Sequence, residues 1–167
     1  VTDDGSIDDY ARVRDRAFAI CDKAHIQLSW IRTANGGKRH AQAAGINVAR
    51  DFTDIFVTVD SDTVLDPVAI EEGLKPFADK KVTAVAGIYL PMNTATNLLT
   101  RISSVWEVSW QLIDRSSQSY FNSVTVNSGV LAFYKADVIL KNLDAYLSET
   151  FFNRPVKFSD DSLLTTY

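Results

Sequence analysis

The sequence predicts an α/β fold with a mostly parallel sheet flanked by helices, and three observations predict it. Strand-like and helix-like runs alternate along the chain. The strand-like runs are short and rich in β-branched and aromatic residues, as suits a buried pleated surface. Four polar clusters fall at the ends of such runs: Asp3-Asp4-Gly5-Ser6, Gly36-Gly37-Lys38-Arg39, Asp60-Ser61-Asp62 and Asp160-Asp161. In open α/β sheets ligands bind outside the carboxyl ends of the strands. With 167 residues, 46% hydrophobic and 23% charged, the chain reads as one domain, residues 1–167, with a sizeable core.

Taken in order, Val1 to Ser6 reads as the tail of a strand running into a turn. Ile7 to Lys23 follows as a helix, with Ile7, Tyr10, Ala11, Val13, Ala17, Phe18 and Ile20 on one apolar face. Ile26 to Ile31 is a short strand. Asn35-Gly36-Gly37 breaks the chain, and helical spacing resumes from Lys38 to Arg50. Phe56-Val57-Thr58-Val59 is a strand that must end at Asp60, because the charges of Asp60 and Asp62 resist burial. Asp66-Pro67 opens a helix, with the aspartate as cap and the proline in the first turn. Lys81 to Tyr89 is another strand.

Asn97 to Ser117 carries the longest helical pattern, with Leu98, Leu99, Ile102, Val105, Trp106, Trp110 and Ile113 forming a stripe expected to face the core. A membrane-surface or sugar-lining role for Trp106 and Trp110 is the alternative. Phe121 to Tyr134 holds two strand-like runs separated by Asn127-Ser128-Gly129. A short helix from Ala136 to about Leu143 follows, and Asp160-Asp161 opens the closing helix.

Several function classes drop out. The net charge of −4 leaves no electrostatic footprint for nucleic acid. A single cysteine, Cys21, excludes an internal disulfide framework and reads as a small buried side chain. His25 and His40 have no cysteine partners for a zinc site. Gly36-Gly37-Lys38-Arg39 lacks the frame of a Walker loop. In a calcium-hand reading of Asp60-Ser61-Asp62, Leu65 sits where that loop requires glycine. No apolar run is long enough to span a bilayer.

Each remaining cluster has an ordinary reading and a chemical one. Asp3-Asp4-Gly5-Ser6 is a turn or a nucleoside contact. Gly37-Lys38-Arg39 is a solvated helix start or a diphosphate contact. Asp60-Ser61-Asp62 is a polar strand end or a divalent-cation site. Asp160-Asp161 is a helix cap or the source of a general base.

In order and spacing, these clusters resemble those of the inverting, processive glycosyltransferases of family 2, especially hyaluronan synthases and the chitin-oligosaccharide synthases of nodulation. The matching stretches are Asp3-Asp4-Gly5-Ser6, Gly37 to Gln42, Val59 to Thr63, Thr96 to Arg101, Ser128-Gly129, and Asp160-Asp161 with Leu164-Thr165. The resemblance implies a GT-A (Rossmann-like) fold, a UDP-sugar donor (UDP-GlcNAc, UDP-GlcA or both), a polysaccharide acceptor, and Mg²⁺ or Mn²⁺. It implies that Asp4, with Asp3, contacts the uridine and that Lys38 and Arg39 lie along the donor. Asp62 becomes the main metal ligand, with Asp60 near the ribose or the metal. Asp161 becomes the general base, and Ser128 and Gly129, with Trp110, belong to the acceptor side. Val130 replaces the family's usual proline, and Ser159 and Ser162 flank the acidic pair where glycine and arginine are usual. The family's Gln-x-x-Arg-Trp motif, first nucleotide-binding strand and membrane helices are absent from the segment. It is therefore expected to be truncated at both ends, to come from a parent in the cell membrane with its catalytic domain on the cytoplasmic face, and to have little activity alone.

Overall fold

The computed structural model describes residues 1–156 and 160–166. In chain order the elements are β1 (Thr2–Asp3), α1 (Ala11–Lys23), β2 (Ile31–Arg32), α2 (Lys38–Ala49), β3 (Ile55–Val59), α3 (Ala69–Leu74) continued by a 3₁₀ turn, and β4 (Ala84–Ala86). Then come α4 (Leu98–Ser109), a π-helical stretch (Trp110–Arg115), α5 (Ser116–Tyr120), β5 (Leu131–Lys135), α6 (Ala136–Ser148), β6 (Thr150–Phe151), β7 (Arg154–Pro155) and α7 (Asp160–Thr166). Ser159 and Tyr167, both part of the sequence reading, lie outside the described residues.

The chain groups into two compact units. The first comprises Val1–Thr53 with Leu140–Asp160, the second Asp54–Ile139 with Asp161–Tyr167.

In the first unit β1 and β2 pair in parallel, Thr2 opposite Ile31 and Asp3 opposite Arg32. Ala43 and Ile46 of α2 are buried, as are Leu143 and Tyr146 of α6. Helix α1 begins at Ala11, later than the sequence spacing suggests; just before it Asp9 accepts the Ala11 N–H at 3.1 Å, as in an Asx turn. None of its residues is buried, so the expected apolar face, including Val13 and Ile20, lies exposed. Cys21 is free and half-buried.

In the second unit β5 is the central strand, antiparallel to β3 on one side and to β4 on the other. β3 and β4 therefore point the same way. The α/β class of the sequence reading stands; both pairings of this sheet are antiparallel, the middle strand running against its neighbours, and the parallel pairing is that of β1 with β2. Leu131, Ala132, Phe133 and Tyr134 are all buried, as expected of a strand covered on both faces. β3 stops at Val59, just before Asp60, as the desolvation argument requires.

Three expectations are corrected here. The run from Phe121 to Val130 forms no strand; it is a loop whose Asn127, Ser128 and Gly129 are buried. Helix α6 continues to Ser148, well past Leu143. The stripe on α4 does not face the core: Leu98 is 73% exposed, Ile102 58% and Trp106 70%. The protein-facing side of that helix is polar instead, with Ser104 and Gln111 buried. Periodicity identified the helix, but apolar spacing says only which residues share a face, not which face the fold covers. The start of α4 is explained locally. Asn97 accepts the Thr100 N–H at 3.0 Å while the Thr100 hydroxyl accepts the Asn97 N–H at 3.1 Å. This capping box contributes about 1 kcal/mol to helix stability.

Candidate active site

The candidate residues of the first unit surround the turn after β1. Asp3 is buried, and its carboxylate accepts the Ser6 N–H at 2.8 Å, the Tyr10 hydroxyl, and an ion pair from Arg32 Nε at 3.3 Å. Hydrogen bonds from Tyr10 and Ser6 stabilise the charged form and lower the Asp3 pKa from 3.8 to about 2. The same bond raises the Tyr10 pKa, and the Tyr10 ring stacks on Trp30 at 5.6 Å.

Asp4 points to the glycine pair instead. Its Oδ1 accepts the Gly36 N–H at 2.8 Å and its Oδ2 the Gly37 N–H at 2.9 Å. Gly37 caps α2 with φ of +89°, a conformation an L side chain rarely takes. Sequence clusters some thirty residues apart are thus one structural feature.

Lys38 is exposed at the first residue of α2. Its neighbour Arg39 differs from the sequence reading, which sets both cations along the donor. The Arg39 side chain is 5% exposed, pairs with Glu149 at 2.7 Å, donates to the Tyr146 carbonyl at 3.3 Å, and lies 5.1 Å from the Tyr146 ring centroid. Those partners give Arg39 a role in joining α2 to α6.

In the second unit the strand register assembles the candidate site. Val59 lies opposite Leu131, so Asp60 follows β3 just where Val130 leads into β5; the Asp60 N–H meets the Val130 carbonyl at 3.5 Å. Asp60 is half-buried, and Asp62, in the turn that follows, is exposed.

One residue before Val130, the Gly129 N–H donates to Asp161 Oδ2 at 2.8 Å, across 32 residues of sequence. A Cβ at position 129 would stand 2.5 Å from Asp161 Oδ1, so the carboxylate can sit against the backbone here only because residue 129 is glycine. Thr165 ties α7 to the same loop: its hydroxyl accepts the Asn127 N–H at 2.7 Å and donates to the Asp161 carbonyl at 2.6 Å. Buried Tyr134 donates to the Asn127 carbonyl at 3.2 Å. Burial and the Asp161 charge push the Tyr134 pKa upward, so it stays a neutral donor.

The sequence reading missed Asn127 and Thr165 as members of this site. Their signal, an interruption between strand-like runs and the Leu164-Thr165 match, was present but assigned no work. Trp110 begins the π-helical stretch and is 39% exposed.

Among the described residues, no group of three or more His, Cys, Asp or Glu is arranged to hold a metal ion. Asp60 and Asp62 supply two hard oxygen donors, which fits a Mg²⁺-type ion completed by substrate phosphates and water rather than an all-protein cage.

The strand-end carboxylates, with one acid held by a backbone amide, make up a candidate enzyme site on an α/β fold. The "Glycosyltransferase like family 2" description matches residues 1–165, and the chain belongs to that family. It is 38% identical to a hyaluronan synthase of Streptococcus pyogenes over its whole length, which is 40% of that relative. It is also 32% identical to an N-acetylglucosaminyltransferase of Azorhizobium caulinodans and 31% identical to one of Rhizobium leguminosarum bv. viciae, over 99% of the chain in both cases. The chain spans about two fifths of the length of these relatives. Among the described residues, no helix is long and apolar enough to cross a membrane.

Proposed function

We propose that this chain is catalytic-domain sequence of a polysaccharide synthase that transfers a sugar from a UDP-sugar to a growing chain, with inversion at the anomeric carbon. The observation that carries the reading is the pairing of Asp161 with the Gly129 amide, beside the Asp60 end of β3.

In this mechanism Asp161 accepts the proton of the acceptor hydroxyl. The hydroxyl oxygen forms a bond to the anomeric carbon as the bond to the diphosphate oxygen breaks, and UDP leaves. Direct displacement of an α-linked donor inverts that centre and yields a β-linked product. Asp60 and Asp62 are the residues that would hold Mg²⁺ or Mn²⁺, which when bound stabilises charge on the departing diphosphate. Asp4 contacts the uridine, Asp3 maintains the turn that carries it, and Lys38 lies along the donor. Ser128 and Gly129 line the acceptor side, with Trp110 as a further sugar contact. The parent works at the cell membrane, with this domain on the cytoplasmic face.

The test uses the full-length parent in membranes with Mn²⁺ and a panel of UDP-sugars. Polymer from UDP-GlcNAc together with UDP-GlcA is the expected result. Polymer from UDP-GlcNAc alone would move the product to the chitin-oligosaccharide type, a second reading favoured by the similarity to two N-acetylglucosaminyltransferases. UDP binding with no turnover of any donor would make the domain a nucleotide-sugar-binding module and overturn the proposal.

A further inference from the structure

A buried arginine in the first turn of α2 has no part in the mechanism above. Arg39 lies at the positive end of that helix's dipole, where a cation is disfavoured, and no acid stands in the first turn to offset it. Its partners come instead from the end of α6. The guanidinium donates to the Tyr146 carbonyl at 3.3 Å, in the last turn, where a helix leaves carbonyls without internal partners. It donates to Glu149 at 2.7 Å and lies 5.1 Å from the Tyr146 ring centroid. One turn along α2, Gln42 Oε1 accepts the Tyr146 hydroxyl at 2.6 Å. Arg39 and Gln42 thus grip one fully buried tyrosine by its carbonyl, its ring and its hydroxyl.

A buried ion pair adds little net stability over apolar packing of the same volume, and its best-attested use is to set register. The register set here is that of the α2 N-terminus. The Gly37 carbonyl accepts the His40 and Ala41 N–H groups at 3.0 and 3.1 Å, so the glycine pair follows the helix. The Gly36 and Gly37 amides in turn hold the two carboxylate oxygens of Asp4. The fit is close. A Cβ at Gly5 would stand 2.9 Å from the Asn35 nitrogen, and one at Gly36 would stand 3.1 Å from His40 Cβ. With one amide on each oxygen, Asp4 keeps a lone pair on each for a donor group of the uridine.

Resting on the reading of Asp4 as the uridine contact, we infer that Arg39 is a positioning residue for the sugar donor. Locked to Glu149 and Tyr146, it fixes the rotation and height of α2, and through the Gly36 and Gly37 amides it aims the Asp4 carboxylate at the uridine. Arg39 serves donor binding without touching the donor.

The experiment compares variants of the full-length parent in membranes, reading UDP affinity by direct binding, and kcat and KM with UDP-GlcNAc and UDP-GlcA. Arg39→Lys keeps the charge but loses the fork that spans Glu149 and the Tyr146 carbonyl. It should weaken UDP binding and raise both donor KM values about tenfold, the size of one charge-assisted hydrogen bond. Its kcat should stay within about twofold, as for a loss of ground-state and transition-state binding alike. Glu149→Gln keeps an acceptor for Arg39 and should bind UDP nearly as the wild type does. Tyr146→Phe, which loses only the Gln42 bond, should weaken UDP by a smaller factor and carries the test if Arg39→Lys does not fold. Adding Arg39→Lys to Asp4→Ala should weaken UDP no further, because both act on one contact.

Hydrogen exchange in the peptide spanning residues 35–38 should quicken in Arg39→Lys while that of residues 131–135 stays unchanged, which separates a local displacement from general destabilisation. Unchanged UDP affinity, a loss confined to kcat, or multiplied losses in the double variant would each overturn the proposal. Failure of the uridine assignment reads differently: Asp4→Ala would then bind UDP as tightly as the wild type. Failure of the proposal alone leaves Asp4→Ala weak and Arg39→Lys normal.

Discussion

Asp3 and Asp161 are both carboxylates that accept a backbone amide beside a strand, yet they are equipped for opposite work. Asp3 is saturated: Ser6 and Tyr10 donate to it, Arg32 forms an ion pair with it, and its pKa falls to about 2. A carboxylate so stabilised in its charged form is a poor proton acceptor and a good structural anchor. For Asp161, the Gly129 amide is the side chain's only hydrogen-bond donor among the described residues. That single bond orients the carboxylate while leaving lone pairs for an incoming proton. Two acids that look equivalent in sequence are separated by their partners.

The comparison can be broken in several places, and removing the proton acceptor should have the largest effect. Asp161→Asn keeps a side-chain oxygen for the Gly129 amide, so the fold should survive while polymer synthesis by the full-length parent falls about 10²-fold or more. Assays after chelation should show a comparable loss, reversed by added Mn²⁺ or Mg²⁺; activity that persisted without divalent ions would remove Asp60 and Asp62 from the metal role.

Gly129→Ala sharpens the same contrast. Its Cβ would stand 2.5 Å from Asp161 Oδ1, so the carboxylate must shift. Because a misplacement of about 1 Å can cost on the order of 10²-fold, kcat should drop sharply with little change in donor KM.

On the Asp3 side the effect should appear in pH-dependent stability rather than in rate. Its folded-state pKa lies below the unfolded value of 3.8, so its stabilisation is complete above that value and is lost as pH falls toward 2. Melting temperatures from pH 6 to pH 2.5 should therefore decline more in the wild type than in Asp3→Asn; parallel curves would contradict the assignment.

Smallest of all should be Trp106→Ser. At 70% exposure the side chain has little packing within this chain to lose, and unfolding of residues 1–167 should shift by no more than about 0.5 kcal/mol.

Part of the fold was legible because local rules governed it. Helix α2 and strand β3 begin and end close to where glycine, helical spacing and the desolvation cost of Asp60 place them. The start of α4 is local too, since Asn97 and Thr100 form its capping box. Where burial decided, the sequence misled. The apolar residues of α4 were expected inside and lie exposed, while polar Ser104 and Gln111 are covered. Arg39 reads as a free cation beside Lys38, yet Glu149, more than a hundred residues later, pairs with it.

By itself the sequence determined the α/β class, the chemical identity of the acids and glycines, and membership in a glycosyltransferase family. Short-range patterns suffice for those, because strand endings, caps and motif order are properties of neighbouring residues. Only the tertiary structure decided which acid is saturated with donors and which is held by a single amide. The β3–β5 register sets Asp60 beside Val130, and the Asn127–Thr165 and Gly129–Asp161 bonds close the loop on α7. A carboxylate's role depends on the donors around it, and those donors arrive from distant parts of the chain.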